Sequence, residues 1–172
     1  REPRNRLHTI AVEPESYLRA YGNDLKISDE GRSDFLENRD SVLVGAAMAE
    51  KFEWRVGDQI PIFNRRIARK DGSETWNFRI AGLVTGTTAY VDTSFLYIHY
   101  EHLNEARTED KDTIGWIVLK PTKETDPRRL GEDVDRLFET SADRTTTDSE
   151  RSFSQTFVAQ FGDLAFVTLL IL

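Results

Sequence analysis

The most metal-like spacing in this sequence of 172 residues belongs to two histidines and a glutamate. His99 and His102 are three residues apart and Glu105 follows after the same interval, so a helix would carry all three on one face. A catalytic zinc needs three protein ligands and one open position. The order His-Tyr-Glu-His is not, however, the His-Glu-x-x-His motif of zinc proteases. We therefore predict no metal site and interpret the pair as a junction between a strand and a helix with exposed polar residues.

Other patterns that could support catalysis are incomplete. The stretch 82–86, followed by Thr87 and Thr88, has the composition of a phosphate-binding loop but lacks the lysine and the spacing of a Walker A motif. The sequence contains no cysteine, which excludes disulfides, thiol catalysis and cysteine metal sites. Its 30 acidic residues are scattered through loops and helix starts. The sequence therefore predicts no catalytic residue, no bound cofactor and no enzymatic activity.

A basic cluster stands out in a chain whose net charge is −7 and whose isoelectric point is about 5.1. Arg65, Arg66, Arg69 and Lys70 lie at the expected tip of a β-hairpin. Such a tip could contact an anionic surface or partner. The alternative is that its charges guard a strand edge against pairing with other strands. Nucleic acid is not expected as the partner, because duplex binding requires a basic face.

The elements that would position these residues follow from the hydrophobic pattern. The hairpin pairs residues 59–63 with 75–84 around an Asp71-Gly72 turn. The segment Ile114–Lys120 is apolar on both faces, which favours a central strand of a sheet. Further strands are expected at 7–12, 42–44 and 95–98, and helices at 28–38, 46–52, 100–107 and 126–139.

The C-terminal residues differ in character from the rest of the chain. Thr147-Asp-Ser-Glu150 has the pattern of a capping box, and Phe153, Phe157 and Phe161 follow at a four-residue spacing. The residues 164–172 then carry no charge. We interpret them as the start of a transmembrane helix, which needs about 20 apolar residues, reached through a stalk helix. The alternative is a C-terminal helix that packs back on its own domain.

Three stretches, taken together, resemble one known family. Residues 42–52 and 55–60 are similar to the valine-glycine and glycine-aspartate pattern of the MacB-like periplasmic core domain of FtsX-type ABC transporter permeases. Phe78–Val84 resembles the strand that follows in this family, and Asp133–Phe138 resembles a helix near the end of the domain. The resemblance covers roughly residues 42 to 172, and the residues before Val42 match poorly.

The resemblance implies a domain that lies in the periplasm, between the first and second membrane helices of a permease of the inner membrane. A cytoplasmic ATP-binding subunit would supply the energy. A second permease copy and a periplasmic partner protein or exported substrate are the other partners that it implies. The domain itself would transmit movement without bond chemistry, and the helix with Phe153, Phe157 and Phe161 would be the coupling lever.

We predict an α+β fold in three parts. A β-rich lobe covers 7–100, a smaller strand-helix lobe of βαβ type covers 101–150, and the stalk helix with the start of a transmembrane helix covers 151–172. Two other functions stay open at this point. A ligand- or partner-binding domain of a single-pass membrane sensor fits the C-terminal pattern equally well but leaves the glycine-aspartate pattern unexplained. A soluble enzyme would require the last helix to pack internally.

Overall fold

The computed structural model describes residues 7–64, 67, 69–88 and 91–152, and it confirms the α+β fold with a six-stranded mixed sheet. The strands are β1 (His8–Val12), β2 (Leu25–Lys26), β3 (Ser41–Gly45), β4 (Gln59–Phe63), β5 (Thr75–Gly86) and β6 (Phe95–His99). The helices are α1 (Pro14–Tyr21), α2 (Asp29–Glu37), α3 (Ala46–Phe52), α4 (Tyr100–Ala106) and α5 (Pro127–Leu137).

The longest strand, β5, organises the sheet. The strand order is β1-β6-β3-β5-β2, and β4 pairs with β5 as well. β3 runs parallel to β5 and antiparallel to β6, while β6 runs parallel to β1. β4 pairs antiparallel with the first half of β5, from Phe63 opposite Thr75 to Gln59 opposite Arg79. β5 therefore joins the hairpin to the parallel part of the sheet.

Two apolar clusters form the core, and β3 contributes to both. All five residues of β3 are buried. Val42 and Val44 belong to one cluster and Leu43 to the other, as expected when successive side chains of a strand point to opposite faces. The buried aromatic residues Trp76 and Phe78 belong to the first cluster, and Phe35 and Tyr97 belong to the second. β3 therefore occupies the centre of the sheet, between β6 and β5. The sequence also predicts a central strand at residues 114–120.

Capping side chains determine where the longer helices begin. Ser28 Oγ accepts a hydrogen bond from Gly31 N at 3.1 Å, and the Asp126 carboxylate accepts one from Arg128 N at 3.0 Å. Both starts are predicted by the sequence. α1 is not among the helices expected from the sequence. It begins at Pro14, where the missing N–H costs nothing, and the Glu13 carboxylate caps it by accepting from Ser16 N at 2.7 Å.

The hairpin of β4 and β5 is confirmed, but its connection is longer than an Asp-Gly turn requires. Phe63 pairs with Thr75, so residues 64–74 form the connection. Gly72 has a φ of +76°, which favours glycine, and Asp71 Oδ1 accepts from Ser73 N at 2.9 Å. The Asp-Gly pair therefore makes a local turn within the loop and does not join the strands directly.

The prediction of a strand at Ile114–Lys120 is wrong for the chain as it is folded here. None of these residues belongs to a strand, and the apolar side chains of this segment are 46–63% exposed. The physical reason is a missing neighbour: the six strands of the sheet pair with one another, and none of them pairs with this segment. An apolar pattern predicts a strand only where a sheet edge is available to receive it.

The chain divides into two compact units, residues 1–118 and 119–172. In the second unit, Gly131 on α5 is buried because Thr147 approaches it, with Thr147 Cγ2 only 3.3 Å from where a β-carbon would lie. Thr147 also donates a hydrogen bond to Asp135 Oδ1 at 2.8 Å. Thr147 is therefore not the helix cap that the capping-box pattern predicts. Ser149 takes that position, since its Oγ accepts from Ser152 N at 3.2 Å and the last described residues, 150–152, are helical.

Within the described parts of the chain, every helix is too short or too polar to cross a membrane. The residues 151–172, expected to form the stalk and the start of a transmembrane helix, lie almost entirely outside the described residues. The three-part division predicted from the sequence stays a prediction.

Candidate interaction surface

The basic cluster at the hairpin connection is partly neutralised by its own surroundings. The guanidinium carbon of Arg69 lies 4.5 Å from the centre of the Trp76 ring, and Arg69 Nη2 contacts Asp71 Oδ2 at 2.9 Å. The stacked guanidinium holds the pKa of Asp71 below its ordinary value, chiefly through hydrogen bonds. Only 21% of the Arg69 side chain is exposed. Arg69 therefore anchors the loop on the core aromatic residue instead of projecting towards a partner.

The loop is fastened to α4 by its backbone. Lys70 N donates to Ala106 O at 2.8 Å, and Arg69 and Arg107 form an isolated antiparallel bridge. The Arg107 guanidinium in turn donates to Asn104 Oδ1 at 2.7 Å and to the Thr113 carbonyl at 3.1 Å. These contacts hold the hairpin connection beside the loop that follows α4. No local sequence pattern reveals this contact, because it joins segments that are about 40 residues apart.

Among the described residues of this surface, two lysines remain as exposed cations. Lys70 is exposed, and hydrogen bonding and repulsion by the nearby Lys111 ammonium lower the pKa of Lys70. Lys70 and Lys111 are here called the lysine pair, and the Glu105 carboxylate acts on the pKa of Lys70 in the opposite direction to Lys111. Arg65 and Arg66 lie outside the described residues. The prediction of a partner contact at Arg65, Arg66, Arg69 and Lys70 stays a prediction, and the lysine pair is the part of this surface that the described residues form.

The two histidines are structural. His99 is 5% exposed and its Nε2 lies 2.6 Å from the Phe35 carbonyl, so the neutral ring donates there. Burial lowers the pKa of His99, more than the Phe35 hydrogen bond raises it. His102 packs edge-on against the rings of Trp76 and Phe78, at 6.0 and 5.8 Å between centroids. The junction between a strand and a helix, β6 and α4, is confirmed, but the expected exposure is wrong for His99, whose ring is buried against Phe35. Across the described residues, no group of three or more His, Asp or Glu could hold a metal ion.

The glycine-bearing residues that carry the family resemblance lie around β3 and β5. A β-carbon on Gly45 would lie 2.0 Å from Thr93 O, and one on Gly82 would lie 3.2 Å from the Gly31 α-carbon. Gly57 has a φ of +91° and donates through its N–H to Ile80 O at 2.8 Å, and Ile80 N donates to Asp58 O at 2.9 Å. The pattern therefore builds close contacts of the backbone around the sheet.

An ion pair that the sequence analysis did not identify links α2 to β5. Arg79 donates to the Asp34 carboxylate through both of its terminal nitrogens. Nη1 contacts Oδ2, and Nη2 lies 2.6 Å from Oδ1. This bidentate geometry lowers the pKa of Asp34 and raises that of Arg79. Single charged residues 45 positions apart give no sequence pattern that would reveal such a pair.

Phe153, Phe157 and Phe161, the expected coupling residues, lie outside the described residues. Comparison of the chain with family models, with curated proteins and with solved structures found no match.

Proposed function

We propose that this chain is the extracytoplasmic domain of an ABC transporter permease of the FtsX type, located on the periplasmic side of the inner membrane. The proposal is supported by one observation above all. The residues of the family-like pattern, Gly45, Gly57, Asp58 and Gly82, occupy positions where the backbone makes close contacts or takes a positive φ. Each glycine of the pattern is therefore required by the fold. A resemblance at such positions supports a relation to the family more strongly than a resemblance at exposed positions would.

In this role the domain is a transmitter of movement and not a reaction centre. A sheet with apolar clusters on both faces, like the one centred on β3, behaves as a compact unit because protein interiors are closely packed. The helix that starts at Glu150 leads along the sequence to the uncharged residues 164–172. Under the proposal, this helix couples ATP hydrolysis by a cytoplasmic subunit to movement of the domain for export or for activation of a partner.

The lysine pair is the surface that we assign to an anionic periplasmic partner or substrate. Lys70 and Lys111 are exposed and carry like charges on an otherwise acidic chain. An acidic side chain or phosphate offered by a partner would relieve their repulsion. This assignment refines the prediction from the basic cluster, because Arg69 is already paired with Asp71.

The proposal is tested on the full gene product, tagged and purified from membranes in detergent. We expect an ATP-binding subunit to co-purify and its ATPase activity to depend on the permease. To test the lever, a flexible Gly/Ser segment of about seven residues is inserted after Ser152, and a helix-forming Ala/Glu segment of the same length, two helical turns, is the control. The flexible insertion should abolish transport or partner activation while ATP binding is retained, and the helical one should retain both.

Two results would contradict the proposal. Purification without any ATP-binding subunit would favour a sensor or adhesion protein and would remove the permease assignment. Equal activity of the flexible and helical insertions would remove the lever alone.

A further inference from the structure

The hairpin connection meets α4 along a contact that is called here the seam. Arg69 and Lys70 form one side of the seam, and Ala106, Arg107 and Lys111 form the other. Lys70 N donates to Ala106 O at 2.8 Å, and Arg69 and Arg107 form a backbone bridge. All of these residues except Ala106 are cations, and Lys111 repels Lys70 across the seam. Backbone contacts therefore hold together two sides whose side chains carry like charges.

His102 on α4 lies beside the aromatic ring that anchors the seam. The guanidinium carbon of Arg69 lies 4.5 Å from the centre of the Trp76 ring, and the centroid of the His102 imidazole lies 6.0 Å from the same centre. Both Arg69 and His102 are partly buried. Charges interact more strongly at such positions than in bulk water, because the effective dielectric constant is lower there. A charge on His102 is therefore felt by Arg69.

The groups that face His102 come from every element around it, and the two charges closest in effect have opposite signs. Arg69 on the connection and His99 on β6 oppose its protonation, whereas Asp40, in the turn before β3, and Glu105 on α4 favour it. Burial is the largest cause and, together with Arg69, holds the pKa of His102 below its ordinary value. The residues that β1 and β5 contribute on this side of the sheet are uncharged, namely Leu7, Ala11, Trp76 and Phe78.

We propose that the seam is a pH-sensitive switch, in which protonation of His102 places a further positive charge beside Arg69 and opens the contact between the hairpin connection and α4. The face of Trp76 attracts a cation, but Arg69 already stacks there. Opening separates Lys70 from Lys111, because these residues lie on opposite sides of the seam. The inference goes beyond the permease proposal and does not depend on it.

The direction of the effect follows from proton linkage. An imidazole exposed to water has a pKa of about 6.5, and the closed seam binds the proton less readily than the open one. The closed state is therefore fully favoured above pH 6.5 and loses stability as the pH decreases below it. A proton bound by the open state alone would raise the opening equilibrium about tenfold between pH 7.5 and 5.5. We expect about threefold, because burial of His102 against the β5 rings persists when the connection leaves.

Hydrogen exchange of the Lys70 amide measures this opening, since its N–H group crosses the seam. Exchange is followed by NMR on the full chain at pH 7.5 and 5.5 and is expressed as a protection factor, which removes the pH dependence of the intrinsic rate. The protection factor of Lys70 should fall about threefold at the lower pH. The Ile80 amide, which donates to Asp58 O within the sheet, should stay better protected at both pH values, because the opening is local.

Two variants assign the effect to one histidine. His102→Phe keeps an aromatic ring beside Trp76 but cannot be protonated, so the protection factor of Lys70 should not fall on acidification. His99→Gln is the matched control. It removes the other buried imidazole, which contacts the Phe35 carbonyl and not the seam, and the fall at Lys70 should remain about threefold.

The reciprocal measurement does not require the His102 variant to fold. The ring of His102 is titrated by NMR in the wild type, in Arg69→Gln and in Lys70→Gln. Arg69→Gln should raise the pKa of His102, because the guanidinium that opposes its protonation is gone, and Lys70→Gln should leave that pKa unchanged. The inference is overturned by a Lys70 protection factor that does not change with pH, or by an equal fall in His102→Phe. Equal protection of Lys70 and Ile80, or an unchanged pKa of His102 in Arg69→Gln, would overturn it as well.

Discussion

Glycines at two positions show how single residues determine this fold. Gly45 is the last residue of β3 and the N-cap of α3. Its φ of −62° is open to any residue, so glycine is favoured there by the lack of space for a side chain. The Thr93 carbonyl occupies the position where a β-carbon would be. Gly57, in contrast, requires its positive φ of +91° and has open space around it. The same residue type thus serves two physical needs within one sequence pattern.

Gly45→Ala is expected to lower the free energy of unfolding by about 3 kcal/mol, because the new methyl group overlaps the Thr93 carbonyl and the chain must move. The measurement is urea unfolding followed by far-UV circular dichroism at low protein concentration. Gly115→Ala is the matched control, since no atom lies within 4 Å of its β-carbon position, and its effect should stay within about 0.5 kcal/mol. Equal stability of the two variants would show that Thr93 does not limit the space at Gly45.

His99 should make the stability of the protein fall at mildly acidic pH. Burial holds the pKa of His99 below that of the unfolded chain, which is about 6.5, so the unfolded chain binds more protons near that pH. The stability contributed by the neutral ring is present above pH 6.5 and is lost as the pH decreases below it. His102, whose pKa burial also lowers, acts in the same direction.

Urea unfolding at pH 7.5 and 5.5 tests this dependence. The wild-type chain should be less stable at pH 5.5. His99→Gln keeps a donor for the Phe35 carbonyl but does not titrate, so the loss on acidification should be smaller. A loss as large in His99→Gln as in the wild type would assign the effect to other groups.

At the scale of secondary structure, an element could be predicted from the sequence where local residues, such as a capping side chain, determine it. The Ser28 and Asp126 caps, the buried β3 and the α3 boundaries agree with expectation, because each depends on neighbouring residues. α1 was missed because Glu13 and Pro14 can equally end a strand. The prediction of a strand at residues 114–120 failed because a strand also needs a partner strand. The local hydrophobic pattern carries no information about that partner.

The contact between α2 and β5 belongs to the same scale, since a bidentate ion pair fixes one element on the other. Asp34→Asn should lower the free energy of unfolding by about 1 kcal/mol, because both carboxylate oxygens meet the Arg79 guanidinium and the two side chains are only 25% and 31% exposed. Thermal unfolding at neutral pH is the measurement. Asp133→Asn removes an ion pair with Arg136 that is more than half exposed, and it should have almost no effect. If both variants lose the same free energy of unfolding, the bidentate geometry of the Asp34–Arg79 pair adds no stability beyond that of an exposed ion pair.

At the scale of the whole molecule, the fold class was predictable, whereas the packing around the proposed interaction surface was predictable only in part. Hydrophobic periodicity and composition indicate α+β correctly. The basic cluster indicates that cations gather at the hairpin connection, but sequence cannot show that Arg69 stacks on Trp76 or that Lys111 comes close to Lys70. Those contacts depend on how the connection packs beside α4, and such packing is a property of the folded chain.

The location of the domain is the part of the account from which the rest of the proposed function follows. In the full gene product, Val56→Cys adds one thiol to the surface of this domain, since Val56 is 58% exposed and residues 1–172 contain no cysteine. The full gene product without the substitution gives the background labelling. Val42→Cys, at a position that is 0% exposed, is the control for unfolded protein. Both variants are treated with a membrane-impermeant maleimide in cells with a permeable outer membrane and an intact inner membrane.

The account predicts that the Val56→Cys protein is labelled in these cells to the same extent as after lysis, while the Val42→Cys protein is labelled only after denaturation. Labelling of Val56→Cys that appears only when the inner membrane is broken would place the domain in the cytoplasm and contradict the central proposal.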